Sequence, residues 1–113
     1  MRIHLSDSEW KLMGRLWEAP PKTITELTAA MRAETGWTKN TVITMLSRLE
    51  AKGAVRHEEG PRAKRYYPVV ERKDAARVET ENFLDKVYGG RLGMLKSAMV
   101  DSRQLTAEDI AEL

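Results

Sequence analysis

The sequence has no cysteine, which excludes disulfides, thiolate metal sites and cysteine nucleophiles. No apolar run approaches the ~20 residues that a membrane-spanning helix needs, and Met1 to Trp10 lacks the apolar core of a signal peptide. A membrane partner is therefore not expected, and a reducing cytoplasmic location is. Histidine is scarce: His4 and His57 are isolated, without metal-ligand spacing. His57-Glu58-Glu59 lacks the second histidine, one helical turn on, that the zinc-protease motif requires. A phosphate loop, a dinucleotide fingerprint and a Gly-x-Ser-x-Gly elbow are also missing. The expectation is no catalytic residue, no metal and no cofactor, and hence not an enzyme. Internal repeats and low-complexity tracts are absent as well.

What is present fits one compact domain, or a small domain with an appended oligomerisation segment: 113 residues, 42% hydrophobic and 32% charged. The formal net charge of +2 decides nothing by itself, but its distribution does. Between Trp37 and Arg72 stand eight basic residues (Lys39, Arg48, Lys52, Arg56, Arg62, Lys64, Arg65 and Arg72) against four acidic ones. A basic middle between more acidic ends points to a polyanionic partner.

Three short helices come first. Ser6 with Glu9 forms a capping box, followed by Trp10, Met13 and Trp17 at helical spacing, widened by Leu12 and Leu16. Both tryptophans are expected in the core. Pro20 and Pro21 close this helix. Thr23 with Glu26 opens the second, whose apolar face is Ile24, Leu27, Ala30 and Met31, and Gly36 ends it. Thr38 caps the third, which carries Val42, Met45, Leu46 and Leu49 on one side and stops at Gly53. Its other side presents Lys39, Asn40, Thr41, Thr44, Ser47 and Arg48. Ala54 to Glu58 and Lys64 to Val70 then read as a hairpin around a turn-like Glu59 to Ala63, with Arg62, Lys64 and Arg65 on the tip and second strand.

Helix–helix–helix–hairpin is the order of a winged helix-turn-helix, in which the third helix enters the major groove and the wing follows the backbone. The fold expected is mainly α with a small β-hairpin: a winged-helix DNA-binding domain over 1–72, then a helical dimerisation region over 73–113. Lysine can donate to guanine, asparagine can pair bidentately with adenine, and a threonine methyl can touch thymine. The DNA-binding set is therefore Thr38, Lys39, Asn40, Thr41, Ile43, Thr44, Ser47 and Arg48 on the helix, with Arg62, Lys64 and Arg65 on the wing. The competing reading is a protein–protein adaptor on the same scaffold, since a fold does not fix a function. A neutral or acidic third-helix face would favour it.

From about Lys73 helical spacing resumes, passes Gly89-Gly90 and continues from about Arg91 to Val100. Thr106 with Asp109 begins a last turn, and the pattern still runs at Leu113 without a stop signal. Phe83, Leu84, Val87, Tyr88, Leu92, Leu95, Met99 and Ile110 would leave a large apolar surface on a single chain. A second copy would bury it; folding back onto the chain's own domain is the alternative.

These residues resemble the penicillinase repressor family, the relatives of BlaI, MecI and CopY, along essentially the whole length. The likeness rests on Leu5-Ser6-Asp7-Ser8-Glu9 running to Met13 and Leu16-Trp17. It continues through Trp37-Thr38-Lys39-Asn40-Thr41-Val42 to Leu46-Ser47-Arg48-Leu49, then Lys52-Gly53, then Phe83-Leu84-Asp85-Lys86-Val87-Tyr88-Gly89-Gly90. The resemblance implies a homodimer joined through its C-terminal helices on a palindromic double-stranded operator. It also implies repression of a resistance or stress operon, with release when the repressor is cut. In the antibiotic-resistance branch a sensor-controlled protease cuts between Asn and Phe; the corresponding positions here are Ala98-Met99. The copper-responsive branch uses a cysteine-rich C-terminal motif that this sequence lacks. Asn40 stands where relatives often have Lys, and Ile43 where they have Arg or Gln, so the operator sequence does not carry over.

Overall fold

Two reciprocal capping boxes start the first two helices. In the computed structural model, which describes residues 2–101, Glu9 N–H donates to Ser6 Oγ while Ser6 N–H donates to Glu9 Oε1 at the head of α1 (Asp7–Glu18). Thr23 and Glu26 repeat the arrangement at the head of α2 (Ile24–Thr35). Thr38 caps α3 (Lys39–Ala51) without an acidic partner in its first turn. A three-stranded antiparallel sheet and two further helices, α4 (Arg72–Tyr88) and α5 (Leu92–Asp101), complete the described chain. This is the expected fold: mainly helical, with a winged helix-turn-helix.

The sheet has a strand that the sequence did not announce. β1 (Lys22–Thr23) precedes α2 and pairs with β3 (Lys64–Pro68), placing Thr23 opposite Arg65. β3 lies between β1 and β2 (Val55–Glu59), in the order β1-β3-β2. The hairpin is thus shorter than the expected span to Val70, and Val69 and Val70 leave the ladder to bond the Ala54 carbonyl instead. At its tip Gly60 N–H donates to the Ala63 carbonyl at 3.0 Å. A Cβ at Gly60 would lie 2.4 Å from that oxygen, so the turn requires glycine.

The core sits between α1, α2, α3 and the inner face of the sheet. Leu12, Met13, Leu16, Leu27, Met31, Val42, Leu46 and Leu49 are all fully buried. Trp10 and Trp17 were expected there, yet both are only partly buried. Leu12, Met13 and Leu16 occupy the centre of the α1 stripe, which leaves the bulkier indoles at its rim. There the rings meet edge to face at 5.5 Å, and Trp17 Nε1–H donates to the Val70 carbonyl at 2.9 Å. The described chain falls into two compact units, 1–76 and the part of 77–113 that is described. The first turn of α4 belongs to the first unit: Ala75 joins its core and Arg72 lies over the Trp17 ring. Within the second unit, Phe83 and Tyr88 stack edge to face at 5.8 Å.

A polar tie joins both ends of this arrangement. The Glu9 side chain is only 3% exposed and pairs with Lys52, the C-cap of α3, whose ammonium also donates to the His4 carbonyl at 3.0 Å. Glu9 Oε2 has no hydrogen-bond partner among the described residues. Burial alone would push the Glu9 carboxyl up, but the Lys52 hydrogen bond, the Ser6 hydrogen bonds and the Lys52 charge outweigh it and hold the group below the ordinary glutamate range. A carboxyl depressed in the folded state adds stability above its unfolded value, and this contribution is lost as pH falls through the folded value. Lys52→Met should therefore lower the urea-unfolding free energy at neutral pH by about 1–3 kcal/mol, because a buried carboxylate keeps its charge and loses its cation. The deficit should shrink as pH falls through the Glu9 folded value; a deficit independent of pH would mean that only the packing of the lysine stem matters.

Candidate nucleic-acid interface

Helical periodicity decides which α3 side chains reach solvent. With Val42, Leu46 and Leu49 turned inward at no more than 1% exposure, Asn40, Thr44 and Ser47 project from the opposite side. Lys39 and Ile43 flank them on one edge, and Thr41 and Arg48 on the other. All the sequence-predicted helix residues are exposed except Thr41, which is half-buried. Met45, expected on the apolar face, is only half-buried and lines an open groove of about 280 Å³ with Asn40, Thr41, Thr44 and Arg48.

Hydrogen bonding sorts this set further. Thr38 Oγ1 accepts from the Thr41 N–H at 3.3 Å and lies 3.2 Å from Thr41 Oγ1, so both hydroxyls serve the cap. Thr44 Oγ1 donates to the Asn40 carbonyl at 2.9 Å, so its proton is already engaged. The Lys39, Asn40, Ser47 and Arg48 side chains make no hydrogen bond or ion pair among the described residues. These four have donors and acceptors to offer a base edge or a phosphate.

The wing comes directly after α3 because Gly53, at φ 82°, reverses the chain: its N–H donates to the Glu50 carbonyl and the Ala54 N–H to the Leu49 carbonyl. The pleat then separates its cations. On the outward face Arg56 faces Tyr67, and Glu58 faces Arg65. Arg56 is already neutralised: it pairs with Glu58 at 2.8 Å and lies 4.2 Å above the Tyr67 ring. This hydrogen bond holds the Glu58 carboxyl below the ordinary glutamate range. Arg62, Lys64 and Arg65 are exposed and make no ion pair among the described residues. Lys64 alternates onto the face opposite Arg65, so the three do not form one row. Arg62 and Arg65 share an open concavity of about 290 Å³ with Pro61, Ala63 and Thr23, the cap of α2. Sequence reasoning missed this place for Thr23, whose capping box is legible while its approach to the wing comes from the β1–β3 pairing.

In the second unit, Phe83, Val87 and Leu92 are exposed by 39–51%, whereas Leu84, Tyr88 and Met99 are half-buried. Leu95 is buried within the single chain, at 8% exposure. Met94 and Val100, absent from the expected set, are each 47% exposed. Ala98 and Met99 lie inside α5, both half-buried, and Ile110 lies outside the described residues. No described helix is long and apolar enough to cross a membrane.

Comparison with known proteins decides the family. The family model described as Penicillinase repressor matches residues 5–113. The chain belongs to the penicillinase repressor family. A penicillinase repressor of Bacillus licheniformis is 30% identical over 109 residues, spanning 96% of this chain and 85% of that protein. The methicillin resistance regulatory protein MecI of Staphylococcus aureus is 27% identical over 109 residues, spanning 96% and 89%. The solution structure of monomeric Bacillus licheniformis BlaI in complex with the blaP half-operator matches with a TM-score of 0.59 at 28% identity, over 66% of this chain and 90% of that one. This penicillinase repressor family member is thus a BlaI- and MecI-like repressor with a DNA-binding domain homologous to that of BlaI, and not an enzyme.

The contrast between free and occupied groups predicts distinct losses. Asn40→Ala should cost about 1–3 kcal/mol at one base position and relax preference there, while Arg65→Ala should weaken binding to every sequence and reduce the salt slope by about one. Fluorescence anisotropy on a panel of single-base operator variants at several salt concentrations reads both; finding the roles reversed would undo the division between reader and anchor.

Proposed function

We propose that the protein is a homodimeric transcriptional repressor that reads a palindromic operator. Each subunit inserts α3 into a major groove, with Lys39, Asn40, Ile43, Ser47 and Arg48 toward the bases and nearby phosphates. Arg62, Lys64 and Arg65 of the wing neutralise backbone phosphate, which makes affinity salt-dependent. The observation that carries this reading is the adjacency of the outward face of α3 and the wing that leaves it at Gly53, whose cations Lys39, Arg48, Arg62, Lys64 and Arg65 make no ion pair among the described residues. The relative solved with a half-operator supports the same use of the domain.

Two copies pair through the region 73–113, covering Phe83, Val87, Leu92, Met94 and Val100. Pairing sets two recognition helices one DNA turn apart, ~34–36 Å, or a multiple of it. It also multiplies affinity, because the second half-site is met at high effective concentration. Whatever separates the copies releases the operator. A sensor-controlled protease acting at Ala98-Met99 would do so, and with both residues inside α5 the helix must first unwind to enter a protease cleft. The regulated genes are of the resistance type that the relatives' names describe, and the protein acts in the cytoplasm.

Val87→Asp tests the pairing, because Val87 is 51% exposed and a folded monomer tolerates the charge. Leu95 is the poorer probe, since burial within its own chain means that a charge there damages the fold as well. Val87→Asp should sediment as a monomer, bind the operator at least about 100-fold more weakly, and keep the far-UV circular dichroism of the folded chain. A variant that remains dimeric would place the interface elsewhere.

A further inference from the structure

We infer that His57, held by Glu50, is a positioning residue that sets the angle of the wing against the recognition helix, an inference resting on the DNA-binding reading above. Glu50 lies in the last turn of α3 and His57 in the middle of β2, with the chain reversal at Gly53 between them. His57 Nδ1 is 2.6 Å from Glu50 Oε2. The ring is 28% exposed, packs against Tyr66 at 5.5 Å between centroids, and has Glu59 Oε1 3.9 Å from Nε2. Tyr66 is the cross-strand partner of His57; burial, with help from Glu50 and Glu59, pushes its phenol up. The bond needs a proton on Nδ1, which the neutral Nδ1–H tautomer and the cation both carry.

The geometry makes this contact a lever. β2 runs two residues beyond His57 to Glu59, about 7 Å at ~3.3 Å per residue, and the turn from Gly60 to Ala63 carries the tip to a total of roughly 10 Å. A swing of ~10° about His57 displaces the tip by about 2 Å, enough to carry Arg62 out of hydrogen-bond range of a phosphate, whereas Arg65, opposite Glu58 and paired with β1, hardly moves. An ordinary exposed ion pair does little for stability, and little is required here: the task is to narrow the angles the hairpin samples before DNA arrives, which lowers the ordering cost of binding.

Glu50→Ala and Glu50→Gln provide the test, because both remove one negative charge near the DNA and only glutamine keeps an acceptor for Nδ1–H. In the DNA-free full chain, amide exchange across β2 and β3 should be about fivefold faster or more in Glu50→Ala than in Glu50→Gln, with Val42 to Leu46 unchanged. On DNA from upstream of the protein's own gene, Glu50→Ala should bind about five- to tenfold more weakly than Glu50→Gln, with a shallower salt slope. That gap should close when Arg62→Ala is added to both. Equal exchange and affinity in the two variants, or a gap that survives Arg62→Ala, overturns the assignment. Wild-type binding that is equal on native and scrambled DNA overturns the DNA reading instead, and the exchange data still decide whether Glu50 restrains the wing.

Discussion

Burial of one stripe on α3 is the constraint on which the rest depends. Val42, Leu46 and Leu49 lose essentially all contact with water, a stabilisation of roughly 1.5–3 kcal/mol for each side chain. Rotating the helix by one position would expose two of the three and drive polar groups into the core, so α3 has one orientation. That orientation determines the residues available to a partner. Asn40, Thr44 and Ser47 face outward because the stripe faces inward, and the open groove beside Met45 is bounded by side chains that the same rotation sets.

Two further degrees of freedom are the position of α3 along its axis and the angle at which the wing departs from it. Thr38 defines the start of the helix. Lys52 ties its end to Glu9 and His4, so the cap of α3 is held by the box that begins α1. Immediately afterwards the left-handed Gly53 turns the chain into β2, and pairing with β3 brings Arg65 opposite the α2 cap at Thr23. The wing is thus attached on three sides: by its backbone to Leu49, by its ladder to β1, and by His57 to Glu50. Its charged tip is the part left free.

Most of this architecture was legible because its signals are local. Capping boxes, a 3.6-residue apolar spacing and glycine at a helix end are written within a few residues of where they act. What escaped was written across the chain. β1 is only two residues long and exists because β3 passes beside it. The indoles of α1 share the apolar spacing but lie at its rim, which spacing alone does not distinguish from its centre. Met45 is the same case on α3, apolar in kind yet half-exposed beside Asn40 and Arg48. Leu95 carries a further lesson: helical spacing identifies an apolar residue that must be covered, not whether its own chain or a second copy covers it. For His57 nothing local marks Glu50 as its partner.

On the reading proposed above, the outward face of α3 and the tip of the wing form the DNA surface. Chemical-shift mapping of the labelled full chain, titrated with an operator duplex and with a scrambled duplex of equal length, tests it directly. The operator should perturb Lys39, Asn40, Ile43, Ser47, Arg48, Arg62 and Arg65, with the α3 base-facing shifts lost on the scrambled duplex while the wing shifts persist. Perturbations confined to α4 and α5 would place the DNA surface elsewhere, and identical α3 shifts on both duplexes would mean that α3 does not read sequence.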